Sequence, residues 1–273
     1  MFGLGDNFYQ RSVIQELKKV IYLHTPWPQL YVDLPFVKCI RPKTSLRTQN
    51  ANIDRGWNWA QAPSAAVRVT RWHYPASGNM LEGLANQLKV KPRIFNGPPV
   101  VPSEKSNYVV VRPATIRSEW RADSRNPDPK YINQACLDAA KAGFKVVSVA
   151  DLSPGAEWPV EPLPYADEIY HAGELKIQDL LSLVSGACGV IGGVGWLVPA
   201  AVAYNVPMLL IYGGWGANNG PQRILHPVMD VSKIRQVIPD RFCMCSSDRH
   251  DCNKTIKGFE DVSREWSAQL NRV

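Results

Sequence analysis

Residues 185–221, SGACGVIGGVGWLVPAAVAYNVPMLLIYGGWGANNGP, decide how the rest of the chain is read. A short apolar run, Gly189-Val190-Ile191, leads into the turn Gly192-Gly193-Val194-Gly195. An amphipathic segment over 197–205 follows, then a buried run over 206–212 and a second glycine loop, Gly213-Gly214-Trp215-Gly216, with Asn218 and Asn219. Strand, turn, helix, strand, loop is a βαβ unit with glycine at both strand ends. In an open α/β sheet a ligand sits outside the carboxyl ends of the strands, where glycine lets the backbone come close and a helix N-terminus offers N–H groups to an anion. One glycine turn serves the chain's own geometry as readily as a ligand, because turns demand positive φ. Two on adjacent strands point to a crevice for a phosphate-bearing ligand.

The same alternation extends upstream. Tyr108-Val109-Val110-Val111 reads as a strand and runs into RPATIRSEWRADSRNPDP, which carries Arg112, Arg117, Arg121 and Arg125 among the hydroxyls of Thr115, Ser118 and Ser124. Arginine forks match phosphate oxygens in pairs, so this loop suits a diphosphate, against the plainer reading of solvated arginines. A helix over 129–143 follows, with Pro129 near its start and Gly143 as its cap, and then a strand over 145–150. After the proline-rich SPGAEWPVEPLP come DEIYHAGEL and the helix LKIQDLLSLVSGA. Repeated strand–helix–strand order predicts a parallel, doubly wound sheet over about 106–240.

The N-terminal part is less regular. GLGDNFYQRSVIQELKKVIYLHTPW gives a glycine turn, a helix with Val13, Ile14, Leu17 and Val20 on one side, and a short strand. Asp6 on that turn is either an N-cap or a catalytic base. Residues 27–102 are proline-rich, with Trp57, Trp59 and Trp72 interleaved with Arg41, Lys43, Arg47, Arg55, Arg68 and Arg71. Such interleaving suits an acceptor that stacks and carries phosphate, or simply fills an irregular core. PPVVPSEK at 98–105 reads as a linker, and the tail, with Phe259, Val262, Trp266 and Leu270 at helical spacing, as a packing helix. The expected division is 1–103, 104–254 and 255–273.

Composition sets the outer limits. With 273 residues, 45% hydrophobic and 20% charged, the chain is globular and long enough for one large or two small domains. Its charge of +7 favours anionic partners: nucleotide phosphates, nucleic acid or a membrane surface. No apolar run approaches the ~20 residues that span a bilayer, and no secretory signal is visible, so the expectation is a cytosolic protein, peripheral to the inner membrane surface if it docks there. Cysteines at 39, 136, 188, 243, 245 and 252 form no dense disulfide pattern. Cys243, Cys245, His250 and Cys252 nevertheless cluster; a structural zinc, a disulfide and free packing thiols are all compatible with that spacing, which is tighter than the common Cys-x₂₋₄-Cys.

The GLGD turn, the arginine and hydroxyl loop with its Trp120, and the glycine turn before an apolar helix together resemble the heptosyltransferase-type glycosyltransferases of family nine. The resemblance implies an α/β fold of two Rossmann-like domains facing across a cleft, the GT-B architecture, here with a reduced N-terminal half. It implies an enzyme that moves a sugar from a nucleotide-diphosphate donor to a hydroxyl acceptor, a cell-envelope saccharide or, as the alternative, a hydroxymethylated base in DNA. A non-catalytic nucleotide or nucleic-acid binding module of the same fold is the third reading. Gly5 and Asp6 match the family's glycine–aspartate pair, with Asp6 as base. Thr115, Arg117 and Trp120 match its donor-phosphate loop, Glu174 its nucleotide-contacting glutamate, and Gly193 the glycine of its Asp-Thr-Gly stretch. Where the family has Asp-Thr this chain has Ile191 and Gly192, and where it has a histidine this chain has Trp196. On this reading the donor phosphates lie among Arg112, Thr115, Arg117, Arg121, Arg125, Glu174 and the backbone of Gly192, Gly193, Val194 and Gly195. Gly5, Arg11, Trp215, Asn218 and Asn219 are the expected sugar or acceptor contacts. No cofactor is expected beyond the donor substrate, and no metal is needed at the diphosphate.

Overall fold

The structure, a computed structural model, describes residues 3–44, 50, 53–64, 72–117 and 121–271. Arg47, Arg68, Arg71, Ser118 and Trp120 lie outside the described residues. The chain divides into two compact units, one formed by Met1–Pro99 with Gln222–Met229, the other by Val100–Pro221 with Asp230–Val273. The boundary falls a few residues before the expected 103, and the second unit includes the tail helix.

In the first unit, α1 (Leu4–Ile14) precedes β1 (Ile21–His24), which pairs in parallel with β2 (Val37–Ile40). Helix α2 (Met80–Leu88) packs on α1. Asn79 caps α2, its Oδ1 accepting from the N–H of Leu81 at 2.9 Å. Phe8, Val13, Ile14, Leu30, Leu81 and Leu84 fill this small core. Prolines recur through residues 26–102, and among the described residues of this unit β1 and β2 are the strands that pair. The returning segment 222–229 is the piece that sequence alone does not reveal: Tyr9 Oη donates to the Ile224 carbonyl at 2.7 Å, and Asn79 Nδ2 to those of Gln222 and Leu225 at 3.0 and 2.6 Å.

The second unit is the doubly wound sheet. Its strands are β3 (Tyr108–Arg112), β5 (Lys145–Val149), β7 (Glu168–Tyr170), β8 (Gly189–Gly192), β9 (Met208–Ile211) and β10 (Ile234–Val237). They lie in the order β10-β9-β8-β3-β5-β7, all parallel. Counted along the chain this is the 3-2-1-4-5-6 order of a Rossmann sheet. A small antiparallel pair, β4 (Thr115–Ile116) with β6 (Trp158–Pro159), stands apart from it. The central strands β3, β8 and β9 are buried on both faces because helices cover both, whereas the edge strands β7 and β10 expose part of theirs. Helix α3 (Pro129–Lys141) packs against the tail helix α8 (Phe259–Gln269) on one face, sealing Val109, Val111, Val146, Ile191 and Leu209 beneath Ile132, Cys136 and Trp266. Helices α4 (Ile177–Ser185) and α5 (Leu197–Ala203) pack together, α5 lying on β8 and β9. Short helices α6 (Gly216–Asn219) and α7 (Pro221–Ile224) follow β9. Among the described residues no helix is long and apolar enough to cross a membrane.

Candidate functional site

Because all six strands of the large sheet run the same way, every loop that follows one of them emerges on one rim. The strand order reverses between β3 and β8, and that switch point is where an open sheet leaves a crevice. Arg112, the last residue of β3, is the register partner of Gly192, the last of β8. The arginine loop and the 192–195 turn, read separately in the sequence, are therefore neighbours.

Two of the arginines are not held by a ligand but by a buried carboxylate. Arg112 Nη2 donates to Glu157 Oε2 at 2.7 Å, and Arg117 Nε to Glu157 Oε1 at 2.6 Å. Pairing of β4 with β6 carries Glu157 to this place, one residue before Trp158. Glu157 is 3% exposed. Burial alone raises a carboxyl's pKa, but the guanidiniums of Arg112 and Arg117 outweigh it and hold this one at about 2. Two cations on one anion leave the trio with a net positive charge. Arg112 Nη2 also donates to Thr115 Oγ1 at 3.1 Å, while its Nη1 is buried without a hydrogen-bond partner among the described residues. A spare donor on an arginine whose other arm is clamped is what an incoming anion would use.

Other expected phosphate contacts are more dispersed. Arg121 is exposed and pairs with Asp123 at 2.6 Å; Arg125 is half-buried in the turn above. With Asn126, Asp128 and Lys254 on its walls, a cleft of about 600 Å³ takes in Arg121 but neither Arg112 nor Arg117. Glu174 is exposed beyond β7, two strands from β3, and its carboxylate accepts from the N–H of Ala172 at 2.8 Å. Backbone N–H groups hold its carboxyl below the usual range. Beside it, His171 Nε2 and Ser148 Oγ share a hydrogen bond of 2.8 Å, and burial first, then Arg112, lowers the imidazole's pKa. A neutral imidazole on the rim near Arg112 was not singled out from the sequence, and neither was Glu157.

The two glycine loops differ. Gly195 is exposed and nothing lies within 4 Å of where its Cβ would stand, so the backbone there is open to a ligand. A Cβ on Gly193 would come within 2.7 Å of Pro127, so this glycine is required by packing. The second loop is tighter still. A Cβ on Gly213 would stand 2.2 Å from the Asn126 carbonyl, and one on Gly214 2.3 Å from Cys252 Sγ. Of the three expected contacts here, Asn219 is buried, while Trp215, at a left-handed φ of 56°, and Asn218 keep partial exposure. Asn219 is thus a packing residue where the sequence reading put a sugar contact.

In the first unit Asp6 is the third helical residue of α1, and its Oδ2 accepts from the Gly3 N–H at 3.1 Å and from the hydroxyl of Tyr74. Asp6 is therefore not the N-cap itself, which is Gly3, but caps the helix from its third position by reaching back to the Gly3 N–H, with its side chain still partly exposed. Gly5 beside it is half-buried. Arg11 is a different matter. It is fully buried, with Nη1 and Nη2 on the two oxygens of Asp33 at 2.7 and 2.6 Å, Nη1 also on the Leu30 carbonyl and Nε on that of Asn96. All its arms serve the core, which corrects the expectation of a sugar contact.

No family model matches the chain, and no curated protein sequence matches it. Among solved structures it is similar to TibC, an iron-containing dodecameric glycosyltransferase from enterotoxigenic E. coli H10407, with TM-score 0.59 and 16% identity over 98% of this chain and 72% of that one. The iron-containing heptosyltransferase TibC in complex with ADP-D-beta-D-heptose gives 0.57 at 15% identity, over the same shares. The glycosyl transferase family 9 protein from Veillonella parvula DSM 2008 gives 0.55 at 11%, over 99% of this chain and 94% of that one. At these identities the likeness is one of fold: this chain has the α/β, GT-B-type fold of the heptosyltransferases.

Proposed function

We propose that the chain is a glycosyltransferase that moves a sugar from a nucleotide-diphosphate donor to a hydroxyl, with a cell-envelope saccharide as acceptor. The observation that carries this reading is the register pairing of Arg112 with Gly192 at the switch point of the sheet, with Glu157 fixing the guanidiniums beside it. Arg112 and Arg117 would meet the diphosphate, and the exposed backbone at Gly195 would let it approach. In the reaction the acceptor oxygen bonds to the anomeric carbon, the bond from that carbon to the donor phosphate oxygen breaks, and the acceptor's proton passes to Asp6. The nucleoside diphosphate leaves with its added charge met by guanidinium, so the step asks for no metal.

The experiment is turnover of a panel of nucleotide-diphosphate sugars, with ADP-heptose first because TibC holds it. Release of nucleoside diphosphate that depends on an added saccharide supports the proposal. Binding of the panel without turnover would favour a non-catalytic module, the reading to which Ile191, Gly192 and Trp196 lend weight. A DNA acceptor is favoured by the +7 charge. It predicts a gel shift that weakens steeply from 50 to 200 mM salt, and no shift at low salt removes it.

A further inference from the structure

The loop after β10 gathers Cys243, Cys245, His250 and Cys252 so that their donor atoms all lie within 4.8 Å of one another. Cys243 Sγ is 3.5 Å from His250 Nδ1, which is 3.3 Å from Cys252 Sγ, which in turn is 3.5 Å from Cys245 Sγ. Ligands about 2.3 Å (sulfur) and about 2.0 Å (nitrogen) from a tetrahedral ion stand roughly 3.5–3.8 Å apart, so three of the six edges of a coordination tetrahedron are close to their bound length and the other three are within 4.8 Å. A disulfide needs its sulfurs at about 2.05 Å, and all three thiols are free. Nor do they pack as apolar thiols do. Cys39 and Cys136 are buried among hydrophobic side chains, whereas Cys243 and Cys245 are half-exposed, the first turned toward an imidazole nitrogen and the second toward Cys252 Sγ.

Backbone N–H groups supply the outer layer that metal-bound sulfur needs: Cys245 donates to Cys243 Sγ, and Trp215 to Cys252 Sγ. The loop's own carbonyls are tied to neighbouring rim loops. Gly216 N–H donates to the Cys243 carbonyl at 2.8 Å, and Ser124 Oγ to that of His250 at 2.7 Å. We infer that Cys243, Cys245, His250 and Cys252 bind one tetrahedral, thiolate-preferring transition-metal ion, zinc or iron. Four protein donors fill the coordination sphere and leave no open position, so the centre is structural. It fastens the 241–254 segment to both the second glycine loop and the turn at Ser124. The assignment stands independently of the transferase reading.

The test is elemental analysis of the full-length protein, purified under reducing conditions with a histidine-free tag. About one equivalent of zinc or iron per chain is expected, with Cys243, Cys245 and Cys252 protected from alkylation until a chelator is added. Cys245→Ser should retain at least tenfold less metal against the same chelator, while Cys39→Ser retains it all. Should Cys245→Ser fail to fold, cobalt(II) loading of the wild type serves instead, where thiolate-to-cobalt charge-transfer bands are expected. Less than about a tenth of an equivalent, both as purified and after incubation with zinc or ferrous ion, would overturn the inference. An intact mass two hydrogens low, from a Cys245–Cys252 disulfide, would do the same.

Discussion

Glu157 lies in a run that reads as a proline-rich separator, SPGAEWPVEPLP, where no spacing marks it. Only the pairing of β4 with β6 gives it Arg112 and Arg117 as partners. Its folded pKa of about 2 lies below the ordinary 4.5, so its contribution is complete above about pH 4.5 and is lost as pH falls through 2. The shift corresponds to roughly 3 kcal/mol. Glu157→Gln should therefore destabilise by about that amount in urea unfolding at pH 7, with the gap to wild type narrowing by about half at pH 3. For Asp6, whose cap needs only an acceptor for the Gly3 N–H, Asp6→Asn separates the two roles. Stability should hold within about 0.5 kcal/mol while transfer falls about 10²-fold or more; full transfer would remove Asp6 as base. Arg11→Ala should instead cost about 3–5 kcal/mol by thermal melting, because it leaves Asp33 and two carbonyls without their donor.

At the scale of elements, the alternation of apolar strand and amphipathic helix was legible from 108 to 237, since strands buried on both faces leave a run such as Tyr108-Val109-Val110-Val111 that nothing else explains. The run over 206–212 yields only Met208–Ile211 as strand because the ladder to β8 and β10 spans just those residues. The glycines were legible as turns but their purpose was not. Purpose depends on which loop packs over each, and no local signal tells Gly195 from Gly193. Substitution to alanine makes the difference measurable. Gly193→Ala and Gly213→Ala drive a methyl into Pro127 and into the Asn126 carbonyl and should each cost about 1–3 kcal/mol in denaturant titration. Gly195→Ala should change stability by less than about 0.5 kcal/mol, and any loss it causes in donor affinity would report on the ligand.

For the whole molecule, the least legible feature is the return of residues 222–229 to the first unit, because each anchor has a backbone carbonyl on one side, those of Gln222, Ile224 and Leu225 on the segment and those of Gly78 and Pro75 that take the Arg223 guanidinium. Tyr9 reads the Ile224 carbonyl, and Asn79 caps α2 with its oxygen and holds Gln222 and Leu225 with its nitrogen. Asn79→Asp keeps the cap and loses the donor, so about 1–3 kcal/mol of destabilisation is expected by calorimetry. Helix α2 should keep its helicity. The return also imposes an order on biosynthesis. Five of the six strands of the large sheet, β3, β5, β7, β8 and β9, are polymerised before residue 222 exists, so the N-terminal unit, although begun first, is finished only after most of its successor has left the ribosome.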